Sequence, residues 1–140
     1  MMMTVTFTIP GSPQSKQRPR FSRKNGSVAV YTPEETANYE SLVQFAYLQQ
    51  CGKAFLNGAI CAEISTYFPV TQSASKKKKH AMVADEIKYI KKPDLDNVVK
   101  ALLDALNGVA YHDDAQVCEM HVRKKYAEAP RVVVVLTEID

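Results

Sequence analysis

Apolar and polar positions along this chain switch between a period of two and a period near 3.6, and the switches predict an order of elements. Val5-Thr6-Phe7-Thr8-Ile9 alternates as a half-buried strand does, and Pro10-Gly11-Ser12-Pro13 breaks it. Asn25-Gly26 is a hairpin-turn pair, with Val28-Ala29-Val30-Tyr31 as the returning strand. Thr32-Pro33-Glu34-Glu35 is a helix start: threonine caps, proline fits the first position, and Glu35 completes a capping box. Tyr39, Leu42, Val43, Ala46 and Tyr47 then recur at helical spacing. They predict a helix that covers a sheet and ends near Gly52, with its tyrosines in the core rather than stacked on bases.

Ala59 to Phe68 reads as a central strand closed by Pro69, and Ser73 to Met82 as a short helix begun by a serine cap. Asp94 to Asn107 is the best-defined helix. Leu95, Val98, Val99, Leu102, Leu103 and Leu106 share one apolar face, and Asn107-Gly108 supplies the stop. Two strands finish the pattern, Gln116 to Lys124 and Arg131 to Thr137. The second shows no alternation, which predicts burial on both faces. The expected architecture is α/β (α+β): a single domain over residues 1–140, with helices packed on a mixed sheet.

Composition narrows the class. At 140 residues and 46% hydrophobic, the chain can bury one real core. Cys51, Cys61 and Cys118 are odd in number and lack C-x-x-C spacing, so buried thiols in a reducing compartment are expected, not disulfides or a zinc site. The first nine residues do not resemble a secretion signal, and no apolar run reaches membrane-spanning length. The expectation is a cytoplasmic, soluble protein with no membrane partner and no organic cofactor.

The net charge of +3 is unevenly spread. Lys16, Arg18, Arg20, Arg23 and Lys24 cluster around the expected hairpin. Lys76, Lys77, Lys78 and Lys79 form a second basic run, continued by Lys88, Lys91 and Lys92. Between residues 94 and 119, by contrast, Asp94, Asp96, Asp104, Asp113, Asp114 and Glu119 face one lysine, Lys100. A basic body around an acidic pocket suits a Mg²⁺-dependent enzyme acting on a polyanion. Charge alone is equally consistent with a solvated surface of mixed sign.

Spacing sharpens the chemistry. Asp94 and Asp96 stand at i and i+2, with a third carboxylate offered by the Asp113-Asp114 turn, and oxygen donors of this kind suit a hard cation. Asp94 could instead be a helix N-cap, and acids are common in a first helical turn. Were both helical, they would point about 200° apart; if Asp94 is still extended, the two can converge. Lys100 follows Asp96 by one turn on the same face, where it can meet a phosphate or simply pair with Asp96. A phosphatase of the haloacid-dehalogenase type needs an apolar strand before its first aspartate, but Lys91-Lys92-Pro93 precedes this one. An EF-hand lacks its glycine and closing glutamate here.

Lys92-Pro93-Asp94-Leu95-Asp96-Asn97, Lys100, Leu103-Asp104-Ala105-Leu106-Asn107-Gly108 and Asp113-Asp114-Ala115-Gln116-Val117 together resemble the signature of the RusA family of Holliday-junction resolvases. Pro10-Gly11-x-Pro13-x-x-Lys16-x-Arg18-Pro19-Arg20 resembles the family's amino-terminal segment more weakly, and the lysine-rich segment 73–92 is longer than in the shortest members. The resemblance implies a homodimeric, Mg²⁺-dependent endonuclease (Mn²⁺ as an alternative ion) of DNA recombination and repair, often prophage-encoded, that nicks four-way junctions symmetrically. Asp94, Asp96 and Asp114 would be the metal ligands and Lys100 the catalytic lysine, with Asp113 one register step from Asp114. Lys16, Arg18, Arg20 and Lys76 to Lys79 would hold backbone phosphates. Two other readings remain open: a non-catalytic nucleic-acid-binding module, and a less selective branched-DNA nuclease.

Overall fold

The computed structural model describes residues 2–16, 20–24, 27–31 and 34–140. Its centre is a four-stranded sheet of β1 (Thr4–Pro10), β4 (Ala59–Pro69), β5 (Val117–Ala127) and β6 (Arg131–Ile139), in the order β1-β6-β4-β5. β6 runs antiparallel to both β1 and β4, whereas β4 and β5 are parallel, so the sheet is mixed. A parallel pair needs a long crossover. Here it holds α2 (Lys76–Val83) and α3 (Leu95–Ala105), and the candidate residues lie within it. β2 (Arg20–Lys24) and β3 (Ser27–Tyr31) form a separate antiparallel pair, followed by α1 (Glu34–Cys51). The turn residues Asn25 and Gly26 and the helix-start pair Thr32-Pro33 lie outside the described residues, so those two expectations meet only their flanks.

Strand alternation decides which face is the core. Val5, Phe7 and Ile9 of β1 are buried, as are Ile60, Ala62 and Ile64 of β4 and Val132, Val134 and Leu136 of β6. Onto this face α1 lays Tyr39, Val43, Ala46 and Tyr47, and Phe7 meets the Tyr47 ring edge-on at 5.1 Å. α3 adds Val98, Leu102 and Ala105, with Leu106 directly beyond its end. The tyrosines of α1 therefore belong to the core, as their spacing predicts. Gly52 and Gly108 end the two helical segments at φ +63° and +76°, a region that costs glycine little.

Two expectations need correction. β6 is not buried on both faces: Val132, Val134 and Leu136 are fully buried, but Val133 and Val135 only half so. Those two valines lie beside Thr8 and Thr6 on one side and Ser65 and Glu63 on the other, so polar side chains, not a second helical layer, flank them. The cysteines are free, as expected, but not buried: Cys51 and Cys61 are half-exposed and Cys118 is exposed. Cys118 lies on β5, an edge strand whose first half is largely open to solvent. No helix among the described residues is long and apolar enough to cross a membrane.

Leu102 is fully buried where α3 joins the core. Leu102→Ala is expected to cost about 2–5 kcal/mol of folding stability, read from the shift of the urea midpoint at an unchanged slope.

Candidate active site

α3 divides its circumference between two duties. Val98, Leu102 and Ala105 face the core, while Leu95, Val99 and Leu103 face β5, where Met120 and Val122 form the opposite wall of an open groove of about 560 Å³. Asp96, Lys100 and Asp104 recur every four residues along the rim of the groove, and Asp114 closes it from the turn before β5. Four-residue spacing keeps these side chains in one row, so the polar rim is a direct consequence of the helix.

Asp94 occupies the N-cap position of α3 in an extended conformation (φ −67°, ψ 141°), yet its side chain makes no capping hydrogen bond. Capping is thus not its occupation. Its Oδ1 instead accepts from Lys92 Nζ at 2.8 Å, and that contact holds the Asp94 carboxyl below its usual range and raises the Lys92 ammonium. The structure brings Asp96, Lys100, Asp104 and Asp114 to one groove and leaves Asp94 beside it, turned to Lys92. Among the described residues no three acidic, histidine or cysteine side chains already converge as a metal cage. The alternative of an Asp96–Lys100 ion pair is not realised, and both side chains are exposed on the rim.

The Asp113-Asp114 turn separates the adjacent acids by task. Asp113 is the N-cap of a single 3₁₀ turn, Asp114–Gln116, its carboxylate accepting from Ala115 N at 3.1 Å. Gln116 Oε1 reciprocates by accepting from the backbone amides of His112 and Asp113, which completes a capping box. Asp114 donates its backbone amide to Asn107 Oδ1 at 2.8 Å and turns its carboxylate toward Asp104. Tyr111, fully buried, donates its hydroxyl to Leu103 O at 2.6 Å and so ties this turn to the last turns of α3.

Asp104 is the site residue that sequence reasoning counted without placing. Its carboxylate accepts from Lys16 Nζ at 2.6 Å, with both side chains about three-quarters buried, while Glu40 stands 3.9 Å from the same ammonium. The bond to Asp104 raises the Lys16 ammonium's pKa. Lys16 was expected on a DNA phosphate; here its charge is already engaged inside the site. The signal for Asp104 was in the chain all along, as the third member of the 96/100/104 series. Nothing local could reveal its partner, 88 residues away.

Burial is the main cause that raises the Asp114 carboxyl, and its neighbours Asp104 and Asp113 push it further. One ammonium does not offset the crowded acids, and an all-oxygen donor set with surplus negative charge fits a hard divalent cation. Of the residues expected on phosphates, Lys76, Lys77 and Lys78 project into solvent from the first turns of α2, while Lys79 is half-buried. Ser75 caps that helix as expected, accepting from Lys78 N. Lys78, Lys88 and Lys91 line one surface depression, with the Lys88 ammonium paired to Asp85 at 2.8 Å. Arg20 opens β2, and Arg18 lies outside the described residues.

A carboxyl that binds its proton more tightly folded than unfolded contributes stability below its unfolded pKa, and loses it as pH rises through the folded value. Ionised Asp114 should therefore burden the metal-free fold at neutral pH. Asp114→Asn is expected to raise Tm by a few degrees at pH 7 in EDTA. The gain should fade as pH falls toward the ordinary carboxyl value of 3.8, a trend that thermal melts across that range will check.

Two comparisons bear on this geometry. The chain is 34% identical over 141 residues to a Bacillus subtilis (strain 168) protein, uncharacterized protein YqaN, with 99% of each chain covered. A family model described as endodeoxyribonuclease RusA matches residues 10–137, from the last residue of β1 into the last strand, and so takes in α3, its polar rim and the Asp114 turn. On that match, the chain belongs to the RusA endodeoxyribonuclease family.

Proposed function

We propose that the chain acts as one nuclease domain that resolves four-way DNA junctions by paired, symmetric nicks, with Mg²⁺ (or Mn²⁺) held by Asp94, Asp96 and Asp114. The observation that carries this reading is the row of Asp96, Lys100 and Asp104 on α3 facing Asp114 across a solvent-open groove. Among the described residues, Asp104 alone of that row is tied into the fold by an ion pair, to Lys16. The crowding of the row makes the metal-free protein electrostatically worse, as the raised Asp114 carboxyl indicates.

A divalent ion supplies Lewis-acid charge stabilisation and a more acidic water at the phosphate. The residues do the rest. Asp96 and Asp114 offer oxygens from two rigid elements, the first turn of α3 and the braced 3₁₀ turn. Asp94, extended in its backbone, would have to give up Lys92 to serve as the third ligand. Lys100, one turn along the rim, stands where it can neutralise charge developing on the phosphate. Lys78 and Lys91 offer sequence-independent anchorage for the backbone, along with Lys76, Lys77 and Arg20. Two opposed nicks in a two-fold junction require two related sites, so the working species is a homodimer.

Cleavage of a labelled immobile four-way junction, set against matched linear duplex and a fork, tests the reading with Mg²⁺, Mn²⁺ or EDTA. Wild type is expected to make metal-dependent paired nicks in the junction. Asp96→Asn should lower the rate about a hundredfold or more while keeping junction binding. Equal cutting of forks would assign a less selective branched-DNA nuclease. Binding without cutting under every metal condition would leave a binding module and sink the enzyme.

A further inference from the structure

Asp94 ends an irregular stretch. From the end of α2 to the first turn of α3 the chain has neither helix nor strand, yet a ligand at its far end must be placed within about half an ångström to work. The stretch is nevertheless gripped at one point. The Tyr89 ring stacks on Phe68 with centroids 4.0 Å apart and planes 10° from parallel, and meets Tyr126 edge-on at 5.2 Å. Phe68 and Tyr126 are buried at the ends of β4 and β5, so the ring rests on the sheet itself.

Two hydrogen bonds leave this stack for successive carbonyls directly before the metal motif. Tyr89 Oη donates to Lys92 O at 2.7 Å. Lys124 of β5 places its ammonium 5.3 Å from the Tyr89 ring centroid and 5.9 Å from that of Phe68, and donates to Lys91 O at 2.9 Å. Lys124 thus lies beside the stacked pair, carried there by β5. Fixing the 91 and 92 carbonyls fixes the peptide planes that lead into Pro93 and Asp94.

We propose that Tyr89 and Lys124 are positioning residues that clamp the 91–92 backbone and thereby fix the backbone position from which the Asp94 carboxylate can turn to the groove. The proposal rests on Asp94 being a metal ligand, as proposed above. It assigns the irregular end of the lysine-rich segment a task separate from phosphate binding. Neither residue touches the reacting atoms; they act through Asp94, as partners behind a metal ligand commonly do.

Tyr89→Phe is the informative variant, because it keeps the stack and deletes only the bond to Lys92 O; Lys124→Met deletes the bond to Lys91 O. Tyr126→Phe is the control, since it changes the same stack without removing a bond to this backbone. Mn²⁺ binding to the full chain by calorimetry, melting temperature, junction binding in EDTA and metal-dependent cleavage are measured together. Tyr89→Phe and Lys124→Met are each expected to weaken Mn²⁺ about tenfold and raise the metal needed for half-maximal cleavage to match. Melting temperature of Tyr89→Phe and its junction binding in EDTA should stay near wild type, and Tyr126→Phe should bind Mn²⁺ as wild type does. Wild-type Mn²⁺ affinity in both clamp variants overturns the clamp while leaving the nuclease reading intact, and so does a lowered melting temperature as the sole change. A wild-type protein that neither binds Mn²⁺ nor cleaves overturns the nuclease reading and the clamp with it.

Discussion

The seating of α3 between the core and β5 is the constraint from which the rest of the site follows. Leu102 and Val98 must point into the hydrophobic core, and once they do the helical repeat leaves no freedom elsewhere on the cylinder. Leu95, Val99 and Leu103 then look toward Met120 and Val122, while Asp96, Lys100 and Asp104 are forced onto the rim. Burial of apolar surface thus does the positioning that a cluster of mutually repelling acids could not do for itself. The acids sit on a helix whose orientation they did not choose.

Bracing extends the same logic to the parts not on α3. Tyr111 and Asn107 bind the 107–116 turn to the end of α3, so Asp114 moves with the helix that carries its neighbours. Lys16 reaches Asp104 from the segment after β1 and donates its own backbone amide to Asn97 O, which brings a distant stretch of chain to the same helix. Asp113, the acid nearest in sequence to Asp114, is used up holding the turn's shape. Each of these contacts replaces flexibility at the rim with a bond to something rigid.

Elements whose logic is local were legible in the sequence. The alternation of Val5 to Ile9, the helical spacing through Tyr47, the serine cap of the second helix and the stripe of α3 each depend on neighbours within a turn or two, and each is found, with ends shifted by up to three residues. Failures came where the decisive neighbour was distant. The valine run of β6 looked doubly buried because its own residues are uniformly apolar, whereas the threonines of β1 and the polar residues of β4 beside it set the exposure of one face. The same limit hid the tie between Lys16 and Asp104, and the use of Tyr89 as a bridge from the sheet to the 91–92 backbone. At the rim itself, chain chemistry singled out Asp96, Lys100 and Asp114, which the fold does gather in one groove, but not that Asp94 would stand apart, paired to Lys92.

The one parallel pairing in the sheet carries a consequence for the order of assembly. Among the described strands β5 pairs with β4 alone, and the chain between them contains α2, the irregular stretch up to Asp94, α3 and the Asp114 turn. Closing so large a loop is slow relative to forming helices or hairpins, because its entropy must be surrendered before the distant strands can reward it. Until β5 docks, the groove has one wall and the carboxylates have no common address. Docking of β5 therefore completes the sheet and the candidate groove in one step.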